Sequence, residues 1–217
     1  EGMDATGTDG AYEAYKERAE FYEATPRTLE GLVGAVFRRD PMVDTPEAFV
    51  PVLDNVTQRG TPFSAFAKQL VAEVIGLGRY GVLVDAPETG GQPYLAGYCP
   101  ENIINWRVEI VNGAPMLTLV VLREDASEAK VDDPFVTETV ERFRVLELIE
   151  GVYWQTLYRK VRDQSGREDF VVVGGPTAPA RKGQVFGFIP FQFFGPEKLS
   201  PDVCRSPILG LVNTNLS

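Results

Sequence analysis

The sequence predicts an α+β fold in which amino-terminal helices pack on a mostly antiparallel β-sheet. Two hydrophobic patterns carry this prediction. Between residues 11 and 78, apolar residues recur every three or four positions, which is typical of amphipathic helices. Between residues 79 and 195, short apolar runs alternate with turns rich in Gly and Pro, which is typical of strands. We expect residues 11–217 to form one domain.

The helical part begins after a polar, glycine-rich lead-in, residues 1–10, which we expect to be flexible. Helices are predicted over residues 11–22, 26–37, 46–53 and 63–77. Gly76 and Gly78 are expected to end the last of these, because glycine readily takes the left-handed conformation of a helix C-cap. A final helix, residues 206–217, starts at Ser206-Pro207. It reaches Ser217 without a C-cap, so we expect the chain to be a piece of a longer protein.

The strand-rich part begins at residue 80. Residues 81–84 form a continuous apolar run, which predicts a strand buried on both faces. Further strands are predicted at residues 94–98, 106–111, 116–123, 135–149, 152–161, 170–173 and 185–194, the last interrupted at Pro190. We expect one helical turn at residues 100–105, an acidic loop at 124–134 and another loop at 174–183. Asn112-Gly113 predicts a hairpin, and the following Ala114-Pro115 favours a longer connection.

Composition narrows the possible functions. A net charge of −10 argues against a protein that grips DNA or RNA through many phosphate contacts, whereas an acidic surface repels passing DNA and leaves it mobile. The absence of histidine removes Ser-His-Asp and Cys-His catalysis and His-ligated metals. Two distant cysteines, Cys99 and Cys204, predict no disulfide. The apolar runs are too short to cross a bilayer, so we expect no membrane contact.

The run from Gly76 to Gly81 matches the G-x-G-x-x-G pattern of dinucleotide-binding folds. In those folds the pattern follows a strand and opens a helix. Here it follows a predicted helix and opens a predicted strand. We therefore interpret it as a helix stop followed by a tight turn, and we predict no cofactor.

Two acidic residues, Asp85 and Glu101, each follow an apolar segment. They could form the acid/base pair of a carboxylate-based hydrolase if their carboxyl groups faced one pocket ~5–10 Å apart. We favour the alternative that Asp85 begins a turn and Glu101 lies in the first turn of a short helix, where a negative charge is favourable. The sequence therefore predicts no catalytic or metal site.

A compact polar and aromatic cluster is formed by Asn102, Asn105, Trp106 and Arg107. It could bind a ligand with the arginine stacked on the indole. We favour a structural turn, in which asparagine side chains satisfy backbone groups and Trp106 covers the edge of the core. Three basic pairs could contact phosphate or an acidic neighbouring subunit, but they are too scattered for a nucleic-acid surface. They are Arg38-Arg39, Arg159-Lys160 and Arg181-Lys182.

Five segments resemble a portal-like group of head proteins from tailed bacteriophages, which bears a domain of unknown function. The resemblance extends over nearly the whole chain, from about Tyr12 to Ser217, and the segments read YKERAEFYEATPRTLEGLVGAVFRRDP, FAKQLVAEVIGLGRYGVLVDAP, PENIINWR, IPFQFFG and SPILGLVNTNLS. The most specific combination of motif residues is Gly78, Arg79, Gly81 and Asp85 with Glu101, Asn102, Asn105, Trp106 and Arg107.

Portal proteins form a ring, usually of twelve subunits, at one capsid vertex, through which a terminase motor pumps DNA. The resemblance implies that this chain is the amino-terminal, wing-like part of such a subunit, a structural virion protein and not an enzyme. Its implied partners are other portal subunits, capsid, terminase and neck proteins, and double-stranded DNA that passes without specific contacts. The alternatives are another head-morphogenesis or connector protein and, less favoured, the hydrolase.

Overall fold

The computed structural model describes residues 23–87, 90–130, 133–162 and 166–216. The helices are α1 (Ala24–Val36), α2 (Val50–Leu53), α3 (Phe63–Leu77) and α4 (Leu209–Leu216), with 3-10 turns at Glu47–Phe49 and Pro100–Asn102. The predicted helices at residues 26–37 and 63–77 are confirmed as α1 and α3. The lead-in at residues 1–10 and the helix predicted at 11–22 lie outside the described residues. No helix in the described ranges is long and apolar enough to span a membrane.

The strands follow one another through most of the chain. They are β1 (Tyr80–Asp85), β2 (Tyr94–Tyr98), β3 (Ile103–Val111), β4 (Ala114–Lys130), β5 (Asp133–Ile149), β6 (Val152–Arg162), β7 (Glu168–Thr177), β8 (Ala180–Arg181), β9 (Gln184–Val185) and β10 (Phe191–Phe194). Strands β3 to β7 form a five-stranded meander with β3 and β7 at its edges, and β8 pairs with β9. A small sheet has the order β10-β1-β2. Every described pair is antiparallel, which confirms the predicted α+β class.

The small sheet lies between helix α3 and the five-stranded sheet. On one face, Val82 of β1 packs in a core cluster with Phe66 of α3. On the opposite face, Leu83 shares a second cluster with Leu122 and Leu146 of the five-stranded sheet. Neighbouring side chains of β1 point in opposite directions, as the two-residue period of a strand requires. The predicted burial of this strand on both faces is confirmed, and each fully buried large side chain contributes ~1.5–3 kcal/mol.

The prediction of an acidic loop at residues 124–134 is wrong. Strand β4 continues to Lys130, and β5 begins at Asp133. Ion pairs across the sheet hold this segment extended, because Glu128 binds both Arg142 of β5 and Arg159 of β6. These partners lie far along the chain from the acidic residues, so a local pattern of polar residues does not reveal them.

Other corrections concern the ends of elements. The helical turn predicted at residues 100–105 stops at Asn102, and β3 begins at the next residue. The connection at Asn112-Gly113 has only these two residues, both with positive φ, as a tight hairpin turn requires. The loop predicted at 174–183 is largely strand, since β7 extends to residue 177 and β8 starts at 180. The strand predicted at 185–194 is interrupted over residues 186–190.

Candidate functional site

Residues 78–81 form a tight connection between α3 and β1. Gly78 is the C-cap of α3 with a φ of +80°, and a Cβ there would lie 2.6 Å from the carbonyl oxygen of Cys204. A Cβ on Gly81 would lie 2.3 Å from Cζ of Phe191 and 2.8 Å from Cδ1 of Ile103. Both positions therefore require glycine. The predicted helix stop is confirmed, and the G-x-G-x-x-G pattern has the reverse of the dinucleotide-binding context.

Arg79 is the buried cation of this connection. Only 6% of its surface is exposed. Its guanidinium carbon lies 4.2 Å from the ring centre of Trp106 and 5.1 Å from that of Phe193. Burial lowers the pKa of Arg79, and the nearby Cys204 and Asp202 act in the opposite direction. The stack joins β1 to β3 and β10 through a desolvated cation–π contact, for which ~2 kcal/mol is a representative strength.

The arginine on Trp106 is therefore Arg79, so the less favoured alternative, in which Arg107 stacks on this indole, is wrong. Arg107 is exposed, and its Nε lies 3.4 Å from Oε1 of Glu109. The Nη2 of Arg79 donates a hydrogen bond to the carbonyl oxygen of Pro201, whereas its buried Nε has no partner among the described residues. Since Pro201 lies in the segment that leads to α4, Arg79 also holds that segment against the junction.

Asp85 belongs to a second cluster, at the other end of β1. Its Oδ2 accepts hydrogen bonds from Nη1 of Arg144 at 3.0 Å and from the hydroxyl of Tyr94 at 2.9 Å. Arg144 also donates to Glu124 from Nε at 2.7 Å and from Nη2 at 3.2 Å. The hydroxyl of Tyr98 donates to Glu124 at 2.6 Å. These five residues, the Arg144 network, join the small sheet to β4 and β5.

The Arg144 network is largely buried, and its charges are paired. The exposed side-chain fractions are 15% for Arg144, 12% for Asp85 and 22% for Glu124. Burial acts to lower the pKa of Arg144, but the hydrogen bond and charge of Glu124 and the charge of Asp85 raise it overall. Burial first, and then Glu124, raises the pKa of Tyr98. Near neutral pH the arginine therefore stays charged and this phenol stays neutral.

The remaining motif residues make local contacts. The Oδ1 of Asn102 accepts hydrogen bonds from Nε and Nη2 of Arg123 at 3.3 and 3.2 Å. The Oδ1 of Asn105 accepts one from the backbone N–H of Trp106 at 2.9 Å. Glu101 is exposed in the 3-10 turn before β3. The four residues 102 and 105–107 therefore do not converge on a common ligand position.

The structure does not bring Asp85 and Glu101 together. In the β1–β2 pair, Asp85 lies opposite Tyr94, and Gly81 lies opposite Tyr98. Because Glu101 follows Tyr98, the two acidic residues lie at opposite ends of this pair, with backbone positions ~14 Å or more apart at 3.4 Å per residue. They do not share a pocket as the hydrolase interpretation requires. Across the described ranges, no group of three or more acidic or cysteine residues could hold a metal ion.

A large open cleft lies beside the small sheet, between α3 and the strands β6 and β7. Its volume is about 1550 Å³. We call it the apolar cleft, after a lining that includes Phe63, Leu70, Val84, Leu157, Phe186 and Phe188. Residues 178–180 belong to this lining, and the exposed basic pair Arg181-Lys182 comes directly after them.

Apolar side chains are also exposed at one end of the five-stranded sheet. Strands β4 and β5 extend past their neighbours, because β3 pairs with β4 only as far as Leu122 and β6 pairs with β5 only from Arg142. Near the end of this hairpin, Phe135 is 96% exposed. On the edge strand β7, residues 170–173 are each about half exposed. We call residues 125–129, 133 and 135–140 the hairpin end.

Sequence reasoning missed the Arg144 network and the exposure of Phe135. One signal for the network is present, because Arg142 and Arg144 alternate with Phe143 and Val145 and so share one face of β5. A buried arginine on that face needs acidic partners. A sequence pattern that predicts a loop at residue 124 gives no reason to expect the partner there.

Comparison with protein families and with curated proteins identifies no relative. No protein-family model matches the chain, and no curated protein matches it significantly.

Proposed function

We propose that the chain is the wing-like part of a structural subunit of a bacteriophage portal ring. In this role it sits at the capsid vertex and forms part of the conduit for DNA packaging and ejection. Its partners are other portal subunits and the capsid, terminase and neck proteins. It performs no catalysis itself, and DNA passes without specific contacts.

The place of the resembling residues in the fold carries this proposal. Gly78 and Gly81 occupy positions with no room for a side chain, and Arg79 stacks on Trp106 at the same junction. Asp85 ties the far end of β1 to the five-stranded sheet through Arg144. The residues that carry the resemblance therefore hold α3 and the two sheets together. This structural role supports the proposal, because residues with such a role are expected to recur in proteins of the same fold.

Charge is consistent with a conduit. The chain has a net charge of −10 and a sequence pI of about 4.6. Clustered positive charge would retain DNA through its phosphates, whereas a negative wall repels it and allows fast passage. Three arginines of the five-stranded sheet form ion pairs with carboxylates, which offset their positive charge. They are Arg142, Arg144 and Arg159.

Surface features suit assembly into a ring. A ring subunit presents two different surfaces to its two neighbours, because a cyclic head-to-tail contact joins unlike patches. The chain has both a projecting apolar hairpin end and an open apolar cleft. Large exposed apolar patches of this kind mark interaction sites.

Electron microscopy of the purified full-length protein tests the proposal. We expect closed rings, and cryo-electron microscopy of the virion should place the same ring at a single capsid vertex. A protein that stays monomeric under every assembly condition would contradict the proposal. A ring located in the neck or tail instead would favour the alternative of a connector protein.

A further inference from the structure

We infer that the hairpin end of one subunit seats in the apolar cleft of the adjacent subunit. This inference rests on the proposed ring and deepens it by assigning the two surfaces that meet. The occupant of the cleft is thus a second copy of this chain.

The hairpin end has the shape and chemistry of an inserted element. Phe135 is 96% exposed near the end of two strands that project beyond the rest of the sheet, and Val136 beside it is about half exposed. Full burial of such a phenylalanine is strongly favourable in water. The hairpin end also carries Asp125 and Asp133, which are exposed and make no ion pair with any residue that the structure describes.

The apolar cleft complements this element in size and charge. About 1550 Å³ of open space accommodates several large side chains. Its lining includes residues 178–180, and the two residues that follow them, Arg181 and Lys182, are both exposed. Neither cation forms an ion pair within the described part of the chain. Two unpaired acids therefore accompany the apolar projection, and two unpaired bases accompany the apolar recess.

The two surfaces lie apart on one subunit. Arg142 of β5 lines the cleft, and Phe135 precedes it by seven residues, which span ~24 Å of antiparallel strand. This separation keeps the hairpin end out of its own cleft and makes it available to a neighbour. A contact between unlike surfaces repeats head to tail and closes into a ring when the rotation between subunits permits.

A matched pair of substitutions tests the contribution of Phe135. In the full-length protein, Phe135→Asp should raise the concentration needed for half-maximal ring assembly at least tenfold, measured by mass photometry. Met42→Asp is the control, because Met42 is fully exposed but lies outside both surfaces, and it should assemble like the wild type. Thermal unfolding of the dissociated subunits should be unchanged in both variants. Equal assembly of Phe135→Asp and the wild type would overturn the inference.

Charge exchange tests the pairing of the two surfaces. The double variant Asp125→Lys, Asp133→Lys should impair assembly, and so should Arg181→Glu, Lys182→Glu. Combining all four changes should restore assembly at low salt, because opposite charges again face each other. Additive impairment in the combined variant would contradict the assigned pairing.

Crosslinking between copies distinguishes the possible arrangements. In a background with Cys99 and Cys204 replaced by serine, one protein carries Phe135→Cys and the other carries Ala178→Cys. We expect a short bis-maleimide to link the two proteins only when they are mixed. Linkage between two Phe135→Cys copies alone would indicate a symmetric contact and overturn the inference. A wild type that forms rings without the mixed crosslink would overturn the inference and leave the proposed ring intact, whereas a wild type without rings would remove the proposed function itself.

Discussion

The two ends of the five-stranded sheet differ in how far the rest of the chain buries them. At the covered end, beneath the small sheet, Val120, Leu122 and Leu146 have no exposed surface, and Arg144 has carboxylate partners on two strands. At the open end, which is the hairpin end, Phe135 is almost fully exposed. The same strands β4 and β5 run through both ends. The difference shows that the rest of the chain covers only one end of this sheet and leaves Phe135 at the other end exposed.

Electrostatics follows the same division. At the covered end, desolvation makes each charge dependent on its partner, and Arg144 holds Asp85 and Glu124 together. At the open end, Glu128 accepts hydrogen bonds from Arg142 and Arg159 at a position that water can reach. The hydrogen bond from Arg142 is the main reason that the pKa of Glu128 is lowered. Exposed ion pairs contribute little to stability, whereas breaking a buried pair is costly. Substitutions at the covered end should therefore act on folding, and those at the open end on association.

The largest expected effect is from Arg144→Met. This change leaves Asp85 and Glu124 without their cation in a buried environment, and loss of one partner of a buried pair typically costs ~3–5 kcal/mol. Chemical denaturation followed by circular dichroism measures the change in the free energy of unfolding. Arg107→Met is the control, since Arg107 forms an exposed pair with Glu109 and should cost ~0–1 kcal/mol. Equal losses in the two variants would remove the distinction between covered and exposed charges.

The next effect is steric and concerns Gly81→Ala. The added methyl would meet Phe191 and Ile103 in the core between the sheets. Overpacking of this kind costs ~1–3 kcal/mol, which a thermal melt of the subunit should detect. Gly34→Ala in helix α1 provides a contrast, because nothing lies within 4 Å of a Cβ there, and replacing a helical glycine by alanine should stabilise by ~0.5–1 kcal/mol. A stabilised Gly81→Ala variant would mean that the two sheets pack less closely than described.

A double-mutant cycle examines the stack at the junction. The changes are Arg79→Met, Trp106→Leu and their combination, each measured by the free energy of unfolding. We expect a coupling energy of ~0.5–2 kcal/mol, the range for cation–π contacts. Additive losses would show that the guanidinium and the indole do not interact energetically, despite a separation of 4.2 Å.

The smallest predicted effect is a dependence on alkaline pH. Burial, followed by the hydrogen bond to Asp85, raises the pKa of Tyr94 to about 12. An unfolded tyrosine ionises near ~10. The neutral phenol therefore stabilises the fold fully below pH ~10, and this stabilisation declines as the pH rises from ~10 towards ~12. In denaturation experiments between pH 8 and 11.5, Tyr94→Phe should lose less stability than the wild type, and identical pH profiles would contradict the assigned environment.

The helices and the central strand follow from local patterns in the sequence. The apolar stripe along α3 and the continuous apolar run in β1 are both formed by residues that are close together in the sequence. These local patterns are enough to predict the type of element and which of its side chains are buried. Gly78 and Gly81 are recognisable as a turn for the same reason. The pairing of β3 with β4 also follows, because Asn112-Gly113 predicts a hairpin. The pairing of β10 with β1 does not follow, because these strands are far apart in the sequence.

Long-range pairing is the part that local patterns could not predict. Glu124 and Glu128 indicate a loop when only their neighbours are considered, but cross-strand arginines hold them in β4. The stack on Trp106 was also not predictable, because its cation comes from a residue that precedes it by a complete hairpin. The apolar cleft depends on where α3, β6 and β7 lie in space, which no spacing in the sequence specifies.

Hydrogen–deuterium exchange of the assembled ring and of its dissociated subunit compares the two ends most directly. The open end should gain protection on assembly in residues 135–140 of the hairpin end. Residues 173–180 beside the apolar cleft should gain protection as well, because they form the other side of the inferred contact. The covered end, residues 80–85 and 143–148, should exchange equally slowly in both states. A ring whose open end exchanges as fast as in the isolated subunit would contradict the inference that a second copy covers this end of the sheet.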